Sequence, residues 1–565
     1  MQKSYLGIPL KLAILPYQML CNGGYSTAEL LKKRVKLMEL IKSYRNKTHC
    51  PKKIEFGDFQ TPILLADYVC DFLLSNGVLP KSIIEPTCGE GNFIGSAINK
   101  FNTANIFLGV EINDKYYAKV SKRLSGFVGQ KVKLINTNFF MLDWQKIINE
   151  LSDPILILGN PPWVTNSKLG SLDSKNLPPK SNFQNHKGFD AITGKANFDI
   201  SEWMLIHLIK CLQGKISYLA MLCKTSVARK VLKFCWLNNY QLEQTSLHLI
   251  NAKEHFGASV DACLLFCTIG AFVRSKTCQV YQNLEQKTNI STLGLYNTEL
   301  VSNFDSYKKW LKLDDKNGKS YKWRSGIKHD CAKVMELTKV GDKFENGFGE
   351  TTALEQEYLY PLLKSSDVAK NEVRCNKRWV LVTQKRVGED TSKIKKVAPK
   401  TWDYLCKYSD SLAKRKSSIY KNKPPFSIFG VGDYSFSLWK VAISSLYKRI
   451  SFSVINPYNN RCSMVDDTCY LIPCKSEDEA ILLAQLLNSN VAKEFLNSLI
   501  FWDAKRPITT SILQRINLEA LAEELKLADQ FNYYTKNYNY INQGESQLRL
   551  FETPLQDQDY ISGAS

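Results

Sequence analysis

Between residues 54 and 270, short apolar runs alternate with segments of helical period, and no other feature limits the fold of this chain as tightly. The runs are Ser82–Pro86, Ile106–Ile112, Val132–Asn138, Ile155–Asn160, Ile216–Cys223, Leu242–Ile250 and Ala262–Gly270. Apolar runs of this length between turn signals predict strands. The intervening periodicity predicts helices over Phe93–Phe101, Asp114–Leu124, Trp144–Leu151, Ile200–Leu212 and Val227–Asn238. Seven strands alternating with helices imply an α/β, doubly wound, mostly parallel sheet. Residues Thr165 to Asn197 break the pattern. They are polar and rich in Ser, Asn, Lys and Pro, which predicts a long loop near the site.

The first strand runs into Glu85-Pro86-Thr87-Cys88-Gly89-Glu90-Gly91. Two glycines one residue apart allow a tight turn and let the backbone approach a ligand at a helix start. The next strand reaches Glu111, twenty residues after Gly91. A carboxylate at that place can accept hydrogen bonds from two ribose hydroxyls. The loop has no third glycine and no Lys-Ser/Thr pair, and its acids Glu85 and Glu90 would repel a pyrophosphate. A ribose-bearing cofactor with positive charge and no phosphate suits these residues, and S-adenosyl-L-methionine has both properties.

The fourth strand ends in Gly159-Asn160-Pro161-Pro162-Trp163. Two prolines cannot continue a ladder, and they make a stiff extended corner. That corner lies at the carboxyl end of a strand, where ligands bind in open α/β sheets. Its chemistry suits methylation of an exocyclic amine, whose lone pair is delocalised into the ring. The Asn160 side-chain oxygen and the Pro161 carbonyl can take its N–H bonds and localise that pair, without a strong base. Trp163 offers a face for stacking a base.

In this order the motifs resemble the adenine-N6 DNA methyltransferases of restriction–modification systems. The match is to the group whose cofactor motifs precede a C-terminal target-recognition domain. The resemblance covers most of residues 54–520. It implies a class I S-adenosylmethionine-dependent methyltransferase, Rossmann-like with a seven-stranded sheet, followed by an α+β recognition domain. It further implies that Phe59-Gln60-Thr61-Pro62 contacts the methionine end of the cofactor through Thr61. Glu85, Thr87, Cys88, Gly89 and Gly91 would flank the same moiety, Glu111 would take the ribose, and Ile112 would pack on the adenine. Asn138-Phe139 stands where many relatives have Asp-Phe, and Asn138 can still accept from an amino group through its amide oxygen. Asn160, Pro161, Pro162 and Trp163 would form the catalytic corner, with Trp in place of the more usual Tyr or Phe. Glu254 to Asp261 resembles the motif whose aromatic residue sandwiches a flipped base, which nominates Phe256. An adenine amino group inside a duplex cannot reach a buried methyl donor, so base flipping is implied.

The net charge of +21 favours a polyanionic partner, expected to be double-stranded DNA. Residues 366–450 hold 19 Lys and Arg against 7 Asp and Glu, a balance of +12. Within them Thr383-Gln384-Lys385-Arg386 and Lys414-Arg415-Lys416 are the expected phosphate contacts, and Arg506 is a further DNA-binding candidate. The domains expected are a basic helical arm over 1–50, the methyltransferase domain over 51–275, a connector over 276–320, the recognition domain over 321–525 and a polar tail over 526–565. Trp323 to Asp330 and Phe501 to Pro507 also resemble the family's recognition domains, with His329 and Asp330 read as structural. The 16 cysteines are read as reduced thiols of a monomeric cytoplasmic protein, since no signal-peptide pattern, membrane span or metal-binding spacing is found. No nuclease constellation precedes the methyltransferase motifs, so a cognate restriction endonuclease would be a separate chain. Competing readings are a protein glutamine-N5 methyltransferase, an RNA methyltransferase, and a non-catalytic DNA-binding module that kept the fold.

Overall fold

The computed structural model describes residues 59–164, 199–270, 275–315, 321–371 and 377–535. The expected arm over 1–50 and the expected loop over 165–197 lie outside them. The chain divides into two compact units, one of residues 1–60 with 162–200 and one of residues 61–161 with 201–565.

The larger unit is built on a ten-stranded sheet, among the described residues, in the order β10-β9-β8-β6-β7-β5-β4-β1-β2-β3. Its first seven strands are β1 Ser82–Glu85, β2 Ile106–Glu111, β3 Val132–Asn136, β4 Ile155–Gly159, β5 Ser217–Lys224, β6 Gln244–Ile250 and β7 Ala262–Ile269. All seven coincide with the apolar runs to within two residues. Every residue of β1 and β4 is buried, which explains why these central strands read as continuous apolar runs. Strands β1 to β5 pair in parallel. Strand β7 enters antiparallel between β5 and β6. The connection from β6 to β7 carries no helix long enough for a parallel crossover, so the chain must return in the opposite direction. This order, with a reversed seventh strand, is the class I methyltransferase sheet.

The helices are α1 Ile63–Ser75, α2 Asn92–Lys100, α3 Asp114–Arg123, α4 Trp144–Asn149, α5 Ile200–Cys211 and α6 Thr225–Leu237. A short α7, Ala252–Phe256, follows β6. Local chemistry sets their starts. Asn113 accepts from the Lys115 and Tyr116 N–H groups to cap α3, and Asp143 accepts from Lys146 N–H to cap α4.

The region expected to be a connector instead supplies β8 Thr277–Tyr281, β9 Ser291–Tyr296 and β10 Glu299–Val301. Strand β8 pairs in parallel with β6, and the other two extend that edge. The open edge of β6 has unpaired backbone groups, and these short strands satisfy them.

Residues beyond 321 form two further sheets. One has the order β11-β20-β17-β18, from Arg324–Ser325, Cys469–Cys474, Trp439–Ser444 and Phe452–Ile455. The other has the order β14-β13-β12-β16-β15-β19, from Thr351–Thr352, Lys343–Glu345, Glu336–Val340, Arg378–Leu381, Leu359–Leu363 and Met464–Val465. Each has its own core, one centred on Trp323, Phe452 and Phe495, the other on Leu337, Trp379 and Tyr404. The expected polar tail begins as a packed helix, Ala528–Thr535, with Phe531 buried in the first of these cores.

Candidate active site

Sheet order places the glycine loop and the proline corner side by side. Strands β1 and β4 are neighbours, and connections from them leave toward opposite ends of the sheet order. A crevice opens outside the carboxyl ends at such a switch point. Glu85-Pro86-Thr87 leaves β1 there and Asn160 leaves β4 there. The Thr87 hydroxyl donates to the Asn160 carbonyl at 3.5 Å and bridges the two.

The loop holds its shape through backbone bonds. Gly91 N–H donates to Cys88 C=O at 2.7 Å, and Cys88 N–H to Val110 C=O at 2.8 Å. Gly91 caps α2 at φ +72°, in the left-handed region. A Cβ there would lie 2.2 Å from Val120 Cγ2 of α3. Glycine is therefore required twice over, by the backbone angle and by the helix behind it.

Glu111 closes the loop from β2. One carboxylate oxygen accepts from Gly89 N–H and the other from Asn113 N–H, both at 2.7 Å. A carboxylate oxygen can accept more than one hydrogen bond, a chemistry that suits ribose hydroxyls. Ile112 beside it is 45% exposed and offers an apolar face. After β3, the Asn138 amide oxygen accepts from Phe140 N–H at 3.0 Å and caps a short turn. Phe139 is buried, its ring 4.8 Å from that of Trp144, and so serves the core. Thr61 is buried, and its carbonyl accepts from Asn92 Nδ2 at 2.7 Å, tying it to the start of α2.

The charges differ from the expectation. Glu85 is buried and accepts from Ile94 N–H at 3.1 Å. Burial pushes its carboxyl well above the ordinary range, the Ile94 bond opposes this, and the nearby Glu111 adds to it. Glu90 is paired with Lys119 at 2.7 Å. Of the three acids, Glu111 is the one whose carboxylate binds the backbone of the glycine loop itself, through Gly89 N–H. The donor set still suits S-adenosylmethionine: a carboxylate for the diol, an apolar platform beside it and a glycine turn for close approach. Burial also pushes the Cys88 thiol upward, so it stays protonated.

Sequence reading missed Lys119 and Arg123. They lie four residues apart on α3, and the Arg123 guanidinium binds Asn92 Oδ1 and the Glu90 carbonyl. The helical spacing was the available signal.

In the smaller unit, Trp163 is buried, with its ring 5.5 Å from Phe59. In the larger unit, Phe256 ends α7 and is half-buried, next to Gly257 in the left-handed region.

The basic region divides by burial. Lys385, Arg386, Lys414 and Lys416 are exposed. Arg386 meets Asp433 at 3.0 Å, with both side chains largely in solvent. Three expected phosphate contacts are corrected. Thr383 and Gln384 are buried, with Thr383 donating to Phe426 C=O and Gln384 accepting from Ile428 N–H. The Arg415 guanidinium donates to the Leu412, Ser427 and His329 carbonyls and stacks 3.7 Å from the Tyr420 ring. Arg506 is half-buried and faces Asp467. His329 accepts from Cys331 N–H and faces Glu336 at 3.5 Å, an internal role.

No family model matches the chain. Over 471 residues it is 48% identical to the type II methyltransferase M.NspV of Nostoc sp., covering 83% of this chain and 98% of that one. The chain belongs to the type II DNA methyltransferases of restriction–modification systems. A 199-residue stretch of this methyltransferase is 25% identical to the modification methylase CviBIII of Paramecium bursaria Chlorella virus NC1A, spanning 35% of this chain and 49% of that one. Among solved structures, it is similar to the type IIL restriction–modification enzyme MmeI in complex with DNA, at 13% identity and a TM-score of 0.46, over 86% of this chain and 71% of that one. No helix among the methyltransferase's described residues is long and apolar enough to cross a membrane.

Proposed function

We propose that this DNA methyltransferase acts on the N6 amino group of an adenine extruded from double-stranded DNA, at a specific sequence. The observation that carries the reading is the Thr87–Asn160 bridge, which holds Asn160 beside the loop best suited to the cofactor. When bound, S-adenosylmethionine supplies an electrophilic sulfonium methyl. The chain's own residues do the rest. Glu111 orients the ribose. The Asn160 amide oxygen and the Pro161 carbonyl accept the two N–H bonds of the target amine and localise its lone pair. A preformed acceptor pair on a rigid corner needs little reorganisation as positive charge develops on the nitrogen.

Phe256 is the proposed stacking face for the extruded base. Stacking and phosphate contacts offset an unstacking cost of a few kcal/mol. Lys385, Arg386, Lys414 and Lys416, exposed on the second region, are the proposed phosphate contacts. Modification of the site would protect it from a cognate endonuclease on a separate chain.

Asn160→Ala tests the reading. Loss of one preorganised acceptor is expected to lower kcat by about 10²–10³-fold, with S-adenosylmethionine binding retained. Mass spectrometry of digested DNA identifies the product base. Methylcytosine in place of N6-methyladenine, or an Asn160→Ala variant with normal turnover, would overturn it.

A further inference from the structure

The segment Phe501–Arg506 has no role in the chemistry above, yet it is anchored at both ends. Asp503 reaches the catalytic sheet. Its Oδ2 accepts from the Thr225 hydroxyl at 2.7 Å and from Arg229 Nη1 at 2.7 Å. The Arg229 guanidinium also lies 4.4 Å from the centre of the Phe501 ring. Both charged side chains are mostly withdrawn from water, 15% and 18% exposed. Burial raises the Asp503 carboxyl, but the Arg229 charge and the two hydrogen bonds outweigh it and hold the group below its ordinary range.

Thr225 is the first residue of α6, directly after β5, at the carboxyl edge of the sheet where Asn160 also sits. Its backbone N–H donates to the Asp261 carbonyl at 3.0 Å. Asp261 is the last residue of the connection from β6 to β7, which carries α7 and Phe256. The chain Asp503–Thr225–Asp261 therefore ends on that connection.

The other anchor lies in the second region. Arg506 donates to the Asp467 carbonyl at 3.4 Å, and its guanidinium stands 3.7 Å from the Asp467 carboxylate. The same carboxylate faces Lys328 at 3.4 Å. Only two residues separate Asp503 from Arg506, so the strap spans about 10 Å at full extension and has little slack.

We propose that Phe501–Arg506 is a coupling strap and that Asp503 is a positioning residue for base capture. Seating of the second region on DNA is passed through the Arg506 and Asp503 anchors to Thr225 and Asp261. It thereby sets the pose of the connection that carries Phe256. This rests on the reading that Phe256 stacks the extruded base.

The test uses the full chain and two duplexes carrying its mapped site, one with 2-aminopurine at the target position to report base extrusion by fluorescence and one with adenine there to report turnover. Wild type should brighten on binding as the base leaves the stack. Asp503→Asn keeps the volume but loses the charge. It should bind the duplex within about threefold of wild type, brighten far less, and lose about tenfold in kcat. A mismatch opposite the target adenine makes extrusion cheaper and should restore most of the loss. Thr225→Val, which removes the hydroxyl at nearly constant shape, should show a smaller version of the same pattern. Normal brightening and turnover in both variants would overturn the strap, and so would an equal kcat loss on the mismatched duplex. Absence of brightening in the wild type would instead overturn the base-capture reading.

Discussion

Replacing Gly91 by alanine should separate two physical causes that the structure superimposes at the glycine loop. The first is backbone strain. At φ +72° an L-residue pays about 1–2 kcal/mol. The second is overlap, because the new Cβ would stand 2.2 Å from Val120 Cγ2. Val120 is fully buried and its helix is pinned by the Lys119–Glu90 pair, so relief requires a shift of α3 or an off-rotamer valine. Such overpacking costs about 1–3 kcal/mol. Gly91→Ala should therefore destabilise the fold by about 2–5 kcal/mol. It should also weaken S-adenosylmethionine binding, because the loop and the Gly89–Glu111 bond move together. Val120→Ala removes the clashing methyl and leaves a cavity costing about 1–3 kcal/mol by itself. The double variant should be better than the sum of the two singles by about 1–3 kcal/mol, since only the strain remains. Urea denaturation of the four proteins gives the stabilities, and titration calorimetry gives cofactor affinity. Additive losses would refute the steric argument. A Gly91→Ala protein with wild-type stability and affinity would refute the account of the loop.

Glu85→Gln keeps the acceptor for Ile94 N–H and removes a proton equilibrium. Because burial raises the folded-state value, the folded protein holds a proton that the unfolded chain releases above about pH 4.3. The wild type should lose stability relative to the variant as pH rises from there toward the raised value, with a slope of up to about 1.4 kcal/mol per pH unit. Parallel stability curves for the two proteins between pH 4 and 8 would contradict it. Lys385→Ala with Arg386→Ala should weaken DNA binding at low salt and reduce the slope of log K against log salt by about 1–2, as read by fluorescence anisotropy. An unchanged slope would remove both from the phosphate contacts.

The local features of the catalytic half were legible because they depend on near neighbours in sequence. Central strands are buried on both faces and must be apolar throughout, so β1 and β4 announce themselves. A left-handed turn between a strand and a helix needs glycine, so Gly89 and Gly91 do too. The basic run over 366–450 was legible as composition but not as surface. Thr383, Gln384 and Arg415 sit among exposed lysines, and only folding turned them inward onto carbonyls and amides.

Sequence alone determined the order of the first seven strands and the helices between them, the glycine loop with its acid, and the asparagine–proline corner, since each is a short-range consequence of backbone sterics and burial period. Tertiary structure alone decided the rest. Residues 277–301 look mixed until the bare edge of β6 gives them a partner. Asp503 looks like any surface acid until it meets Thr225, 278 positions away. Pairings of that span are made by the whole fold, and neither partner carries a local mark of the other.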